Sequence, residues 1–307
     1  MTDDQLIFIV SQPRAGSTLL QSIISNNEKV NTSSETWILL NFISFFRPEL
    51  INASYNQYWA KDAITAYISR YPTTDFESLI KEMLLRFYEP MLSSKYVYVL
   101  DKTPRYYEIL NDIINIFPKA KIILIKRDPI EVVKSIITTW GLTNILSLSK
   151  YFRDIMVAPY MINDFCKKQK GKKNIYTLRY EDLITNPDFE IKRIYGWLNI
   201  AYDDKVLKFK HNEKIKGVFG DPYLNNSDRD KISLKTKPKL NYTFNKFMQG
   251  YAYFLSNEFL NEYGGYYYEN ARRTKVFDLF KNIEDKYKFE NRYGVKKEIM
   301  FKLLRWF

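Results

Sequence analysis

Short apolar runs that pass through polar loops into helical patterns are the feature that most restricts this chain. Leu6–Val10 leads into SQPRAGST and then LLQSIISN. Lys121–Ile125 leads into KRDP and then IEVVKSIITTW, with Pro129 suited to a first helical turn. Tyr96–Leu100 and Asn174–Leu178 are two further Ile-, Val- and Tyr-rich runs of strand length. Strand, loop and helix in repetition require crossover connections, and hence parallel pairing. The expected fold is α/β, a P-loop-NTPase-like central parallel sheet flanked by helices.

About 80 residues separate the first two strands, too many for a simple crossover. Helical patterns near Lys61–Tyr71 and Asp75–Leu92 predict a helical cap over the sheet. From Lys205 to Tyr242 the sequence is polar and aperiodic, which reads as a long functional loop, followed by a helix over Phe244–Tyr263. There is no repeat and no Pro, Gly or Ser linker. Residues 1–270 are therefore expected to form one domain and residues 271–307 a basic helical C-terminal extension. In that extension Val295, Ile299, Leu303 and Trp306 recur at three- or four-residue spacing beside lysines and arginines.

Composition excludes several classes. The chain has one cysteine, Cys166, and one histidine, His211, so neither an internal disulfide nor a Cys/His zinc site is available, and no metal is expected. No apolar stretch approaches the length of a membrane span, and MTDDQLIFIV carries acidic residues where a signal peptide needs basic ones. The expected location is cytoplasmic. Net charge is +12, and residues 271–307 alone hold eleven basic against five acidic residues. That asymmetry admits a peripheral contact with anionic membrane. No reader motif for nucleic acid accompanies it.

The loop Ser11–Thr18 leaves a strand and opens a helix, a ready anion site. Free backbone N–H groups point outward there, Gly16 allows close approach, Ser17 and Thr18 add hydroxyls, and Arg14 supplies a planar charged fork. It is not a Walker A loop: the first glycine is missing, and Arg14 precedes the glycine where a lysine should follow it. Taken alone, the same residues also suit a plain helix N-cap at Ser17 with Arg14 as a surface charge.

SQPRAGSTLLQSII resembles the 5'-phosphosulfate loop of sulfotransferases that use 3'-phosphoadenosine-5'-phosphosulfate (PAPS), and KIILIKRDPIEVVKSI resembles their 3'-phosphate motif. SSETW at 33–37, DKTPRYY at 101–107 and LRYEDL at 178–183 follow in the family's order, so the resemblance covers roughly residues 5–200. It implies transfer of a sulfuryl group from PAPS to an acceptor hydroxyl without a metal. Arg14, Ala15, Gly16, Ser17 and Thr18 would hold the 5'-phosphate, and Arg127, Ser135 and Tyr180 the 3'-phosphate side. Glu35 matches the glutamate base of the protein-tyrosine and several carbohydrate sulfotransferases, which favours a glycan or protein tyrosine over phenolic metabolites as acceptor. Lys102 would stabilise the bridging oxygen or the moving sulfuryl group. The competing reading of Glu35 is a capping box begun at Thr32 or Ser33. Arg105 reads as a surface charge, and Glu181 and Asp182 as first-turn acids of a helix. Lys231, Lys235 and Lys237 are candidates to close over the nucleotide, and Trp37 and Trp140 are the aromatics nearest the motifs. The rival readings are a kinase-like enzyme using Mg-ATP, and a non-enzymatic basic module for a membrane surface or nucleic acid.

Overall fold

All six residues of the first strand, Leu6–Ser11, are buried. Successive side chains of a strand point to opposite faces, so both faces of this strand must be covered. Leu6, Phe8 and Val10 join one apolar cluster and Ile7 and Ile9 another on the opposite side. The structure, a computed structural model, describes residues 1–51, 53–71, 75–207, 215 and 240–274. The late-loop lysines Lys231, Lys235 and Lys237, His211 and nearly all of the 271–307 extension lie outside the described residues.

In chain order the elements are β1 (Leu6–Ser11), α1 (Ser17–Ser25), β2 (Val30–Thr32), α2 (Ile38–Ile43), α3 (Gln57–Arg70), α4 (Phe76–Tyr88), β3 (Tyr98–Lys102) and α5 (Leu110–Ile116). There follow β4 (Lys121–Lys126), α6 (Pro129–Thr139), α7 (Ala158–Lys168), β5 (Ile175–Arg179), α8 (Tyr180–Thr185), α9 (Pro187–Leu198), α10 (Tyr242–Leu255) and α11 (Asn257–Tyr263). The five strands form one parallel sheet in the order β2-β3-β1-β4-β5. This is an α/β fold with a central parallel sheet flanked by helices. β1 lies between β3 and β4, so the chain leaves it toward one side and later returns to the other. The loop after β1 therefore lies at the topological switch point, where such sheets take ligands.

Four differences from the sequence expectation have physical causes. β2 is a fifth, edge strand of three residues, too short to show an apolar run. β3 extends to Lys102, because Asp101 and Lys102 pair with Phe8 and Ile9 although neither is apolar. Ser256, with φ of 67°, breaks the expected last helix into α10 and α11. The cap helices exist, but only α4 covers the core: Leu84 and Tyr88 are buried against Phe8 and its neighbours, whereas α3 buries no residue and Trp59 is 74 % exposed. Among the described residues, no helix is long and apolar enough to cross a membrane.

The unequal burial of the two cap helices sets an expectation for thermal and denaturant unfolding. Leu84→Ala removes a fully buried side chain and should cost about 2–5 kcal/mol. Trp59→Ser should stay within about 0.5 kcal/mol of the parent, as substitutions on an exposed face do.

Candidate active site at the carboxyl edge of the sheet

Gly16 is the residue that starts α1. Its φ is 97°, it serves as N-cap with no side chain to offer, and Leu20 N–H donates to its carbonyl at 3.1 Å. Ser17 is thus the first helical residue rather than the cap, and the cap reading of Ser17 does not hold. With no side chain capping the helix, the first-turn amides at Ser17 and Thr18 remain directed at the space beyond the sheet. The preceding turn closes through Ala15 N–H to the Gln12 carbonyl at 3.1 Å, and Arg14 adopts φ of 71°. A left-handed non-glycine residue costs on the order of 1–3 kcal/mol and persists only when its surroundings enforce it.

Arg127 provides that enforcement. It follows β4, and its Nη1 donates to the Arg14 carbonyl at 2.8 Å, tying the second motif to the first. Asp128 caps α6 by accepting Ile130 N–H at 2.8 Å, and Pro129 occupies the first turn as its fixed φ suits. The Arg127 guanidinium lies over the Tyr180 ring, 4.3 Å from its centre. Tyr180 opens α8 directly after β5 and packs on Gly16: a Cβ placed there would meet Tyr180 ring carbons at 2.3 and 2.6 Å. Gly16 is required twice over, for its backbone conformation and for this contact. Ser135 is half-buried on α6 and takes no part in these contacts. Glu181 is a first-turn acid of α8, and its carboxylate also accepts Asp128 N–H at 3.1 Å; burial raises its pKa and that of Asp128.

The other side of β1 carries the second cluster. Lys102, 1 % exposed at the end of β3, donates to Glu35 Oε1 at 2.8 Å, and the Trp37 indole N–H donates to Oε2 at 3.2 Å. Glu35 is three residues ahead of α2, whose N-cap Trp37 is left-handed and makes no side-chain cap. The capping-box reading of Glu35 therefore fails. Arg105 is no loose surface charge: Nε and Nη2 form a two-pronged pair with Asp154 at 3.0 and 2.7 Å, and its guanidinium lies 5.4 Å from the Trp37 ring centre. Burial opposes that charge, but the Asp154 carboxylate prevails and raises the Arg105 pKa. Asp154 lies in a single π-helical turn, Arg153–Val157, and also accepts from Tyr107 OH at 2.8 Å. Nothing in the sequence around Asp154 announced it, whereas Arg105 was visible within DKTPRYY.

The order β3-β1-β4-β5 thus puts the Glu35–Lys102 pair on one side of the first loop and the Arg127–Tyr180 pair on the other. The Arg127 Nε is buried and finds no partner among the described residues. A planar cation with an unused buried donor, set beside helix amides cleared by a glycine, suits an anion such as a nucleotide phosphate. Among the described residues, no group of three or more His, Cys, Asp or Glu is placed to hold a metal ion.

The chain is 23 % identical over 237 residues to the nodulation protein NoeE of Sinorhizobium fredii, an alignment covering 70 % of this chain and 55 % of that protein. It is 28 % identical over 220 residues to protein-tyrosine sulfotransferase A of Caenorhabditis elegans, covering 69 % and 53 %. The chain spans about half the length of these two relatives. In fold it is similar to the sulfotransferase domain from the curacin biosynthetic pathway, with a TM-score of 0.51 and 20 % identity, over 80 % of this chain and 95 % of that one. The model described as the sulfotransferase family matches residues 6–204, from the first residue of β1 to beyond α9, and so takes in both clusters. This chain belongs to the sulfotransferase family.

Proposed function

We propose that the protein transfers a sulfuryl group from PAPS to an acceptor hydroxyl, with a glycan or a protein tyrosine as the favoured acceptor. The observation that carries this reading is Arg127, which joins the two phosphate motifs through the Arg14 carbonyl and the Tyr180 ring and keeps a buried Nε without a partner among the described residues. The strand-to-helix loop after β1 supports a P-loop-like use of the sheet edge, with amides taking the place of the Walker lysine. Likeness to protein-tyrosine sulfotransferase A supports the tyrosine arm of the acceptor proposal. We place the protein in the cytoplasm, with residues 1–270 as the catalytic domain and the basic 271–307 extension making peripheral contact with anionic membrane.

In this reading Arg14 and the backbone of Ala15, Gly16, Ser17 and Thr18 hold the 5'-phosphate, while Arg127, Ser135 and Tyr180 take the 3'-phosphate side. PAPS supplies an activated sulfuryl group; the chain supplies positioning and electrostatics. Glu35 takes the proton from the acceptor hydroxyl as its oxygen bonds to sulfur and the bond from sulfur to the 5'-phosphate oxygen breaks. Neutralising Glu35 deprives Lys102 of its anionic partner at the moment negative charge collects on the departing phosphate. The buried ammonium is then stabilised by that oxygen instead. One ion pair is exchanged for another, so Lys102 is never left uncompensated in a site where this would be costly.

Three measurements check this reading. Calorimetry with 3',5'-diphosphoadenosine should show binding, and Arg127→Ala with Ser135→Ala should weaken it by roughly ten- to a hundredfold per lost charge-assisted contact, about 1.5–3 kcal/mol. Gly16→Ala should weaken it as strongly, because the new methyl displaces Tyr180. ATP in place of the diphosphate should stabilise the protein against heat distinctly less.

Glu35→Gln should retain nucleotide affinity and lose about a hundred- to ten-thousandfold in turnover. It also leaves Lys102 buried without a carboxylate, so turnover is to be expressed per folded enzyme. Normal turnover in that variant would exclude Glu35 as the base.

For the extension, the full chain should sediment with anionic liposomes at low salt and be released as salt rises, while residues 1–270 alone stay in solution.

A further inference from the structure

Asp101 is the penultimate residue of β3 and is 1 % exposed. Four hydroxyls converge on its carboxylate. Thr36 Oγ1 and Tyr88 OH each donate to Oδ2 at 2.6 Å, Tyr106 OH donates to Oδ2 at 2.9 Å, and Thr103 Oγ1 donates to Oδ1 at 3.0 Å. No lysine or arginine among the described residues pairs with it. Burial, and then the Asp101 carboxylate itself, push the Tyr88 and Tyr106 phenols well above their ordinary pKa, so both remain protonated donors. A buried acid ringed by neutral donors is an expensive way to fill a core position, since apolar groups of similar shape would serve stability as well. Its geometry indicates a different use.

Consecutive residues of β3 grip consecutive residues of the loop before α2: Asp101 holds Thr36, and Lys102 holds Glu35. Side chains at adjacent strand positions leave on opposite faces, so the loop is held from two directions. The same hub sets where α2 begins. Ile38 N–H donates to Thr36 Oγ1 at 3.3 Å and Leu39 N–H to Tyr106 OH at 3.1 Å, standing in for the side-chain cap that Trp37 does not make. Upstream, Gln21 Nε2 on α1 donates to Thr32 Oγ1 at 2.8 Å and to the Ser33 carbonyl at 2.7 Å. Glu35 thus lies between two anchored points. Its contact with Lys102 alone would fix the distance between two flexible side chains but not the direction in which the carboxylate faces.

We propose that Asp101 and Thr36 are positioning residues for Glu35, a role that rests on the reading of Glu35 as the base. Asp101 fixes Thr36, and Thr36 fixes the backbone from which Glu35 reaches the acceptor hydroxyl. A misplacement of the order of 1 Å in such a group lowers a rate by about a hundredfold without changing what the enzyme binds.

The test compares Thr36→Val, which keeps shape and removes the hydroxyl, with Thr36→Ser, which restores it. In Thr36→Val, kcat per folded enzyme should fall about ten- to a hundredfold while acceptor KM and the Kd for 3',5'-diphosphoadenosine hold; Thr36→Ser should recover most of the rate. Tyr106→Phe, which keeps its ring against Phe8, carries the same expectation and replaces Thr36→Val if that variant does not fold. Turnover at the parent rate in Thr36→Val, a Thr36→Ser variant as slow as Thr36→Val, or a loss confined to melting temperature would overturn the assignment. Failure of the parent enzyme to transfer sulfuryl groups from PAPS would instead overturn the reading of the site, and this inference with it. The parent's own activity therefore separates the two failures.

Discussion

The bond from Arg127 to the Arg14 carbonyl is the constraint on which the rest of the site depends. It acts on a backbone that would otherwise relax, since Arg14 is left-handed without being a glycine. One guanidinium does two further things at once: it lies on the Tyr180 ring, and through that ring it bears on Gly16. The carboxyl ends of β1, β4 and β5 are thereby locked into one surface. Remove the bond and Arg14 has reason to flip, Tyr180 loses its cation, and the amides of α1 lose their common direction. Parallel sheets bring strand ends together by topology, but they do not by themselves orient the loops; here a single charged side chain does so.

Both strand-loop-helix motifs were legible from the sequence because each couples a strand-length apolar run to a helix start, and those two periodicities differ. Gly16 stood out in the first of these loops, and Arg127 through the resemblance of the second motif to the sulfotransferase family. What the sequence concealed was whatever depends on long-range partners. β2 is three residues long, and its pairing with β3 is imposed by the neighbouring strand rather than by its own residues. Arg105 looked like a surface charge because Asp154, the residue that holds it, comes 49 positions later in a π-helical turn. Glu35 also admitted a capping reading because the three-residue spacing of a capping box is common; the left-handed Trp37 and the lysine at 2.8 Å set that alternative aside. The alternative reading of Ser17 as a cap arose because serine is a favoured one, whereas this loop leaves the cap to a glycine and so keeps the helix amides uncovered.

Several charges lie close together in the half of the site beside β3: Glu35, Lys102, Arg105, Asp101 and Asp154. Each has a committed partner, and the partners differ in kind. Asp154 faces a cation two-pronged, Glu35 faces a cation and an indole, and Asp101 faces only hydroxyls. Pairing of this sort satisfies every buried charge without letting them all pair with one another, so the positions are set independently. Arg105 shows the value of that separation. Were it free, it would compete with Lys102 for Glu35 and blunt the carboxylate; held by Asp154 and laid against Trp37, it is close enough to bear on Glu35 electrostatically but is committed elsewhere.

The Glu35–Lys102 pair carries a consequence for the order of events. Lys102 is buried and Glu35 half-buried, and loss of the carboxylate's charge would leave the ammonium without its partner at 2.8 Å. A Glu35 that takes up a proton requires another anion to compensate Lys102. In the proposed reaction that compensation is the charge developing on the 5'-phosphate oxygen, which exists only once the bond to sulfur is breaking. On that proposal, proton removal from the acceptor and cleavage at the donor are coupled through one lysine, and the charges of the site match the moment of transfer rather than the resting complex.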